Sequence, residues 1–234
     1  QEYQWILTSN PSLPAVCKGV FTAFPKQKFI FMDGYLTGNP MTYSVMYNQV
    51  EQGYMAGYLA GLVTKSSMKG ATPDLKVGAS VAQEYPALTT EMIPGYTQGF
   101  KAVDPAITLD YRVIGNWWDA NKAADLANSM MDAGVDVILS IAGGAGQGTI
   151  KAAQARGRYI VYFDSNVYKL APGTIIGCAT LDQERAVYET LKKAVQGKLQ
   201  FGKADVLTTK AGYVDFADQD PLYTGNVAPD VVAK

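Results

Sequence analysis

Residues 112–168 read RVIGNWWDANKAADLANSMMDAGVDVILSIAGGAGQGTIKAAQARGRYIVYFDSNVY. A tryptophan pair, Trp117 and Trp118, precedes a helical pattern. The apolar run Val135 to Ile141 then meets a glycine-rich loop. A second helical pattern follows, and a second apolar run, Tyr159 to Phe163, ends on Asp164 and Asn166. These are two strand–helix repeats. In an open parallel sheet, ligands sit beyond the carboxyl ends of the strands. Aromatic faces, a glycine turn and a carboxylate are all delivered to that edge, which suits a flat molecule bearing hydroxyl groups.

Outward from this stretch the alternation continues. Strands are expected at Gln4 to Leu7, Phe29 to Met32, Tyr43 to Tyr47, Lys76 to Val81, Thr108 to Ile114 and Thr174 to Ala179. Helices are expected at Leu13 to Phe24, Glu51 to Thr64, Glu91 to Val103, Asn121 to Ala133, Thr149 to Arg156 and Asp182 to Gln196. Asp182 is a natural N-cap and Gly134 a natural C-terminal stop. In the helix after Glu51, the small residues Gly53, Ala56, Gly57, Ala60 and Gly61 recur at spacings of three and four, a pattern for close helix–sheet packing. The polar linker Lys65 to Asp74 is the candidate lobe crossing, and Asp205 to Asn226 resists placement. Short connections make this an α/β chain with parallel strands.

The composition narrows the chemistry. Of 234 residues, 48% are hydrophobic and 18% charged, as in ordinary globular proteins. The net charge is −1 with scattered basic residues, so the footprint of a nucleic-acid binder is missing. There is no histidine, which removes the commonest general base and metal ligand. No nucleophile–base pair is discernible, and neither an enzyme, a metal nor a cofactor is expected. Cys17 and Cys178 are far apart and could form one disulfide, but Cys17 lies in a helix-like segment and Cys178 in a strand-like one, which favours two buried free thiols. No run of about 18 apolar residues signals a membrane span. The abrupt opening on Gln-Glu-Tyr points to an N-terminal part lying outside this chain.

Gly143-Gly144-Ala145-Gly146-Gln147-Gly148 stands between a strand and a helix, where backbone N–H groups can cradle phosphate. No Lys-Ser/Thr follows, so it is not a P-loop, and its glycines are spaced by two rather than two then three. Three readings stay open: a dinucleotide loop, a tight turn admitting a neutral ligand, and a structural turn. Of Trp117 and Trp118, one is expected to face a cleft and the other to pack. Asp164 at a strand end suits vicinal hydroxyls, which donate to a carboxylate; an Asx-type turn is the bland alternative. Asp33 carries the same argument, and Asn10 and Asn116 are further candidates at loop edges.

The segments Glu51–Ala60, Asn116-Trp117-Trp118-Asp119, Gly134–Ile138, Ala142–Gly148 and Phe163-Asp164-Ser165-Asn166 stand in the order found in the basic membrane protein family of lipoproteins. That family is the purine-nucleoside receptor group of ABC-importer solute-binding proteins, and the resemblance covers nearly the whole chain. It implies a type I periplasmic-binding-protein fold with two Rossmann-like lobes, lobe 1 from residues 1–70 plus 179–234 and lobe 2 from 71–178. About two βα units before Gln1 would be missing. It further implies a monomeric receptor outside the cytoplasm, lipid-anchored through a segment beyond this chain. The receptor would close on its ligand by a hinge motion and then dock on an ABC permease.

By the same resemblance, Asp164 holds ribose hydroxyls, Trp117 replaces a phenylalanine that faces the base, and Asp33 matches an acidic position. Gly143 belongs to the shared glycine loop. The chain departs at Asn166, where the family has a second aspartate, at Val167, where it has glutamine, and at Leu181, where a lysine is expected. Some relatives take riboflavin, and the larger ring at Trp117 with the lost cation at Leu181 favours a flatter, less polar ligand. Riboflavin and a purine nucleoside are the two ligands implied. The effector domain of a regulator shares this fold and is the alternative function.

Overall fold

The computed structural model describes residues 3–234. In chain order its elements are β1 (Trp5–Ser9), α1 (Leu13–Val16), α2 (Lys18–Ala23), β2 (Lys28–Met32), β3 (Thr42–Tyr47), α3 (Gln49–Thr64), β4 (Lys76–Val81), α4 (Ile93–Val103), β5 (Thr108–Val113), α5 (Ala120–Asp132), β6 (Val135–Ile141), α6 (Gly146–Ala155), β7 (Tyr159–Asp164), β8 (Ile175–Leu181), α7 (Gln183–Val195), β9 (Ala204–Leu207), β10 (Val214–Phe216), α8 (Pro221–Thr224) and α9 (Pro229–Val232). The expected alternation of strand and helix is therefore present, as an α/β fold.

Packing divides the chain into two units. One comprises the chain up to Asn48, Tyr85–Ala87 and Leu181–Val214; the other comprises Gln49–Glu84, Leu88–Thr180 and Asp215–Lys234. The helix α3 and the residues from Asp215 on, grouped with lobe 1 on sequence, fall in the second unit, where α3 packs along α4 and α9 packs on α3. In the first unit the sheet runs β1-β2-β3-β9, each neighbouring pair parallel. The six-stranded sheet runs β10-β8-β7-β6-β4-β5, parallel from β8 through β5.

Local chemistry explains where the elements depart from expectation. The single helix predicted over Leu13 to Phe24 is two short ones sharing Cys17 (φ −77°, ψ 0°) as a joint. Pro14 sits in the first turn of α1, where proline is tolerated, whereas Gly19 just after the joint weakens a continuous helix. Before α4 the chain makes a π turn over Leu88–Met92, and the α-helix begins only at Ile93 with Pro94 in its first turn. Proline lacks the N–H that an α-helical bond into the preceding turn would need. The expected N-cap at Asp182 forms, accepting from the Arg185 N–H at 3.1 Å, and Asp119 caps α5 in the same way, accepting from the Lys122 N–H at 2.9 Å. Gly134 takes the left-handed turn after α5 (φ +95°). Cys17 and Cys178 are free; Cys178 is buried, whereas Cys17 is only half-buried.

The small-residue stripe of α3 meets a helix rather than the expected sheet. A Cβ on Gly57 would lie 2.0 Å from the Tyr96 carbonyl oxygen, and one on Gly99 would lie 2.2 Å from that of Tyr54. Gly53 and Gly95 are closed in the same way by Met92 and Val50. The two backbones therefore touch along a glycine seam. At the amino end of the same sheet, the wholly buried Asp136 accepts from Thr64 Oγ1 (2.7 Å) and the Thr72 N–H (2.8 Å). These bonds fasten the linker after α3 to β6, while burial raises the carboxyl above its ordinary range.

Two glycine substitutions test the seam. Gly57→Ala forces backbone atoms apart and is expected to cost about 1–3 kcal/mol or more in urea unfolding. Gly19→Ala, in α2 with open space around its Cα, is expected to stabilise by roughly 0.5–1 kcal/mol. Equal effects would show that the seam is not a tight contact.

Candidate functional site

From β4 the chain of the second unit winds outward to β5, then crosses back to build β6, β7 and β8 on the other side. The carboxyl ends of β4 and β6 therefore flank a topological switch point, the place where open parallel sheets bind ligands. The extension of β4 is held on both sides, by the Ala82 N–H to the Ile141 carbonyl (2.9 Å) and the Ile114 N–H to the Val81 carbonyl (2.8 Å).

Trp117 lies across this point. Its Nε1–H donates to Gln83 Oε1 (3.0 Å), just beyond β4, and its carbonyl accepts the Ala145 N–H (2.9 Å), just beyond β6. The ring rests over Gly143, where an added Cβ would stand 3.3 Å from Trp117 Cε3. Gly143 also has φ +51°, so both its backbone and its missing side chain are used. The Gln83 Nε2 donates in turn to the Gly115 carbonyl (3.4 Å), which pins the loop that carries the tryptophan. Trp118 is 75% exposed against 37% for Trp117. The two rings thus differ in environment, and it is Trp117 that sits on the switch point.

Asn116 shapes this loop from within: its Oδ1 accepts the N–H groups of Trp118 (3.0 Å) and Asp119 (2.7 Å). The glycine run is also less of a loop than its sequence suggests. Gly143–Ala145 form one 3₁₀ turn and Gly146 already opens α6. Gly148 packs α6 onto α5, since a Cβ there would fall 1.8 Å from the Ala120 carbonyl oxygen.

Asp164 ends β7, the strand beside β6. Only three non-glycine residues among those described have positive φ, and two are the aspartates singled out from sequence: Asp33 (59°) at the end of β2 and Asp164 (67°). The left-handed conformation is sterically costly for most side chains but is accepted by Asp and Asn. The Asp164 Oδ1 accepts from Gln52 Nε2 at 3.0 Å. That amide also donates to the Ala179 carbonyl at 3.0 Å, and Gln52 is wholly buried. Asn166 follows on the surface, its Nδ2 donating to Asp220 Oδ2 at 2.8 Å, which ties this loop to the N-cap of α8.

The second unit therefore gathers Trp117, Gly143 and Asp164 on one sheet edge, with Asn116, Trp118 and Asn166 in the adjoining loops. Asp33 and Asn10 belong to the first unit, where Asn10 Oδ1 accepts the Ser12 N–H at 2.9 Å. Gln52 and Gln83 escaped the sequence reading. Gln52 did lie inside the Glu51–Ala60 motif, but nothing in its neighbours marked it as facing a carboxylate. Gln83 had no signal beyond following a strand. The edge offers stacking, hydrogen-bond acceptance and a negative charge, which are binding functions. Burial pushes the Cys178 thiol up to about 11, far from a reactive thiolate. Among the described residues no group of three or more His, Cys, Asp or Glu is placed to hold a metal, and no helix is long and apolar enough to cross a membrane.

This architecture is the type I periplasmic-binding-protein fold. An ABC-transporter solute-binding protein from Aeropyrum pernix K1 superposes with a TM-score of 0.83 at 22% identity, over 99% of this chain and 68% of that one. A transcriptional activator of the comK gene from Bacillus halodurans superposes at 0.76 with 20% identity, over 99% and 75%. Receptors and regulators share the fold, so it does not separate them. Residues 1–230 match the Bmp family, described as ABC transporter substrate-binding protein PnrA-like, and the chain belongs to it. Relatives include an ABC transporter nucleoside-binding protein of Lactococcus lactis, 29% identical over 56% of this chain and 35% of that protein. A purine-binding protein of Brucella abortus is 27% identical over 74% and 45%. The chain spans about half or less of the length of such curated relatives.

The left-handed turns make a stability prediction. Asp33→Asn is expected to be nearly neutral, whereas Asp33→Ala should lose about 1–2 kcal/mol in denaturant unfolding, the steric cost of a Cβ without a compensating side-chain bond. Equal losses would mean that the turn is not held in this conformation.

Proposed function

We propose that this chain is the ligand-binding portion of a solute receptor working outside the cytoplasm for an ABC importer. Its ligand on this reading is a purine nucleoside, with the base against Trp117 and the ribose hydroxyls on Asp164. The observation that carries the reading is the pairing of an indole laid over the switch point with a carboxylate held at the end of a neighbouring strand. One offers a flat apolar face and the other accepts two hydroxyl protons, which together describe a ring with a sugar attached. Family membership and the nucleoside-binding and purine-binding relatives support the same choice.

Riboflavin is the second reading, favoured by two particulars. Trp117 presents a wider face than the phenylalanine expected there, and Leu181, where the resemblance calls for lysine, is a buried apolar side chain. A ribityl chain would use Asp164 as ribose does. The permease partner and a lipid anchor carried outside this chain complete the proposal.

Titration calorimetry with inosine, guanosine and riboflavin on the purified protein decides between the readings. Saturable binding of the nucleosides but not of riboflavin is expected, and the reverse would install the flavin. Binding of none of the three would sink the receptor reading. Asp164→Asn keeps the left-handed turn and removes the charge, and it should weaken the bound nucleoside by about 1.5–3 kcal/mol. Trp117→Ala should cost roughly 1–3 kcal/mol of stacking. If Trp118→Ala is the damaging change instead, the base faces the other ring.

A further inference from the structure

We propose that Gln52 is a positioning residue for ligand recognition, acting through Asp164. The inference rests on the nucleoside reading of the site and adds a specificity determinant that lies outside the sheet edge itself.

Gln52 is an anomaly where it stands. It lies in the first turn of α3 with no solvent exposure, on a face that it shares with buried Gln49, Ala56 and Leu59. Both hydrogens of its amide are in use, one on Asp164 Oδ1 at 3.0 Å and one on the Ala179 carbonyl at 3.0 Å. Those two acceptors dictate the orientation of the amide, since a flip would set Oε1 against a carboxylate and a carbonyl. The consequence is that Oε1 is buried with no partner among the described residues. Stranding a buried acceptor is unfavourable, and a side chain whose task was only to join α3 to β8 would need just the Ala179 bond. What the second donor accomplishes is to fix one oxygen of Asp164, and with it the plane of the carboxylate.

That plane matters because a carboxylate discriminates vicinal hydroxyls by direction. Two hydroxyls on adjacent carbons donate along defined lone-pair directions, and a freely rotating carboxyl group must give up that freedom on binding. The bond from Gln52 restricts it in advance, from a helix locked by the glycine seam. Through this residue the packing of α3 reaches the ligand without touching it.

The test compares inosine with 2′,3′-dideoxyinosine, which lacks the two hydroxyls. Gln52→Met keeps the length and apolar bulk of the side chain while deleting both donors. It is expected to weaken inosine about tenfold or more, as loss of a hydrogen bond to a charged group implies, and to leave dideoxyinosine within twofold. Combined with Asp164→Asn, it should add nothing to the loss from Asp164→Asn alone. Equal losses for both nucleosides, or additive losses in the double variant, would overturn the assignment in favour of a structural role. Should Gln52→Met fail to fold, the side-chain amide resonances of Gln52 in the unaltered protein give the answer by ¹⁵N correlation. They should shift with inosine and stay put with dideoxyinosine; identical responses to both refute the proposal. An unaltered protein that binds neither nucleoside overturns the receptor reading and this assignment with it, an outcome distinct from binding that ignores Gln52.

Discussion

The contact on which the second unit depends is the glycine seam between α3 and α4. Backbone atoms of the two helices approach so closely that a single Cβ at Gly57 or Gly99 would overlap a carbonyl oxygen. Helices packed on side chains can slide or rotate by repacking rotamers, but helices packed on backbone have no such freedom. The register of α3 is thereby set against α4. On its other side, Leu59 fills the space left by Gly177 on β8, where a Cβ would lie 2.3 Å from Leu59 Cδ2. Held on two sides, α3 presents Gln52 at one height, and that height meets both Asp164 and the Ala179 carbonyl. A constraint made of missing side chains thus ends as the orientation of a charged one.

The edge of the sheet shows a second economy. Trp117 is fixed through its indole N–H and its backbone carbonyl to groups beyond β4 and β6, the two strands that flank the reversal in strand order. A ring anchored at its polar atom keeps its faces for packing, and its Cε3 edge lies against Gly143. Asp33, just after β2, and Asp164, the last residue of β7, use the opposite device, a left-handed backbone that turns the chain sharply at the strand end. Asp and Asn are the charged or polar residues that accept this conformation most readily, so the turn itself selects a side chain that can accept hydrogen bonds.

Much of this was legible in the sequence, and the boundary of legibility has physical reasons. Strands delivering Asp33 and Asp164, the cap at Asp182 and the Gly134 stop are local features, written in residues adjacent to the structure they cause. The stripe at Gly53, Gly57 and Gly61 was legible as a face of small residues, but periodicity shows that a face exists and not what it meets; the partner is a helix rather than the sheet. The continuous helix over Leu13 to Phe24 is broken at Cys17, beside Gly19, whose weak helix preference gives a periodicity reading no sharp stop. The roles of Gln52 and Gln83 were beyond sequence reading, since each is defined by partners far along the chain. The tail after Asp205 was opaque for a related reason: its helices are single turns that depend on caps such as Asp220 rather than on periodic burial.

The most direct test of the account is a crystal structure of the protein with a purine nucleoside bound. The account predicts the base stacked on Trp117 and the ribose hydroxyls donating to Asp164, with the Gln52 amide still bridging Asp164 and Ala179. A nucleoside seated away from the β4–β6 switch point, or one whose ribose ignores Asp164, would contradict it.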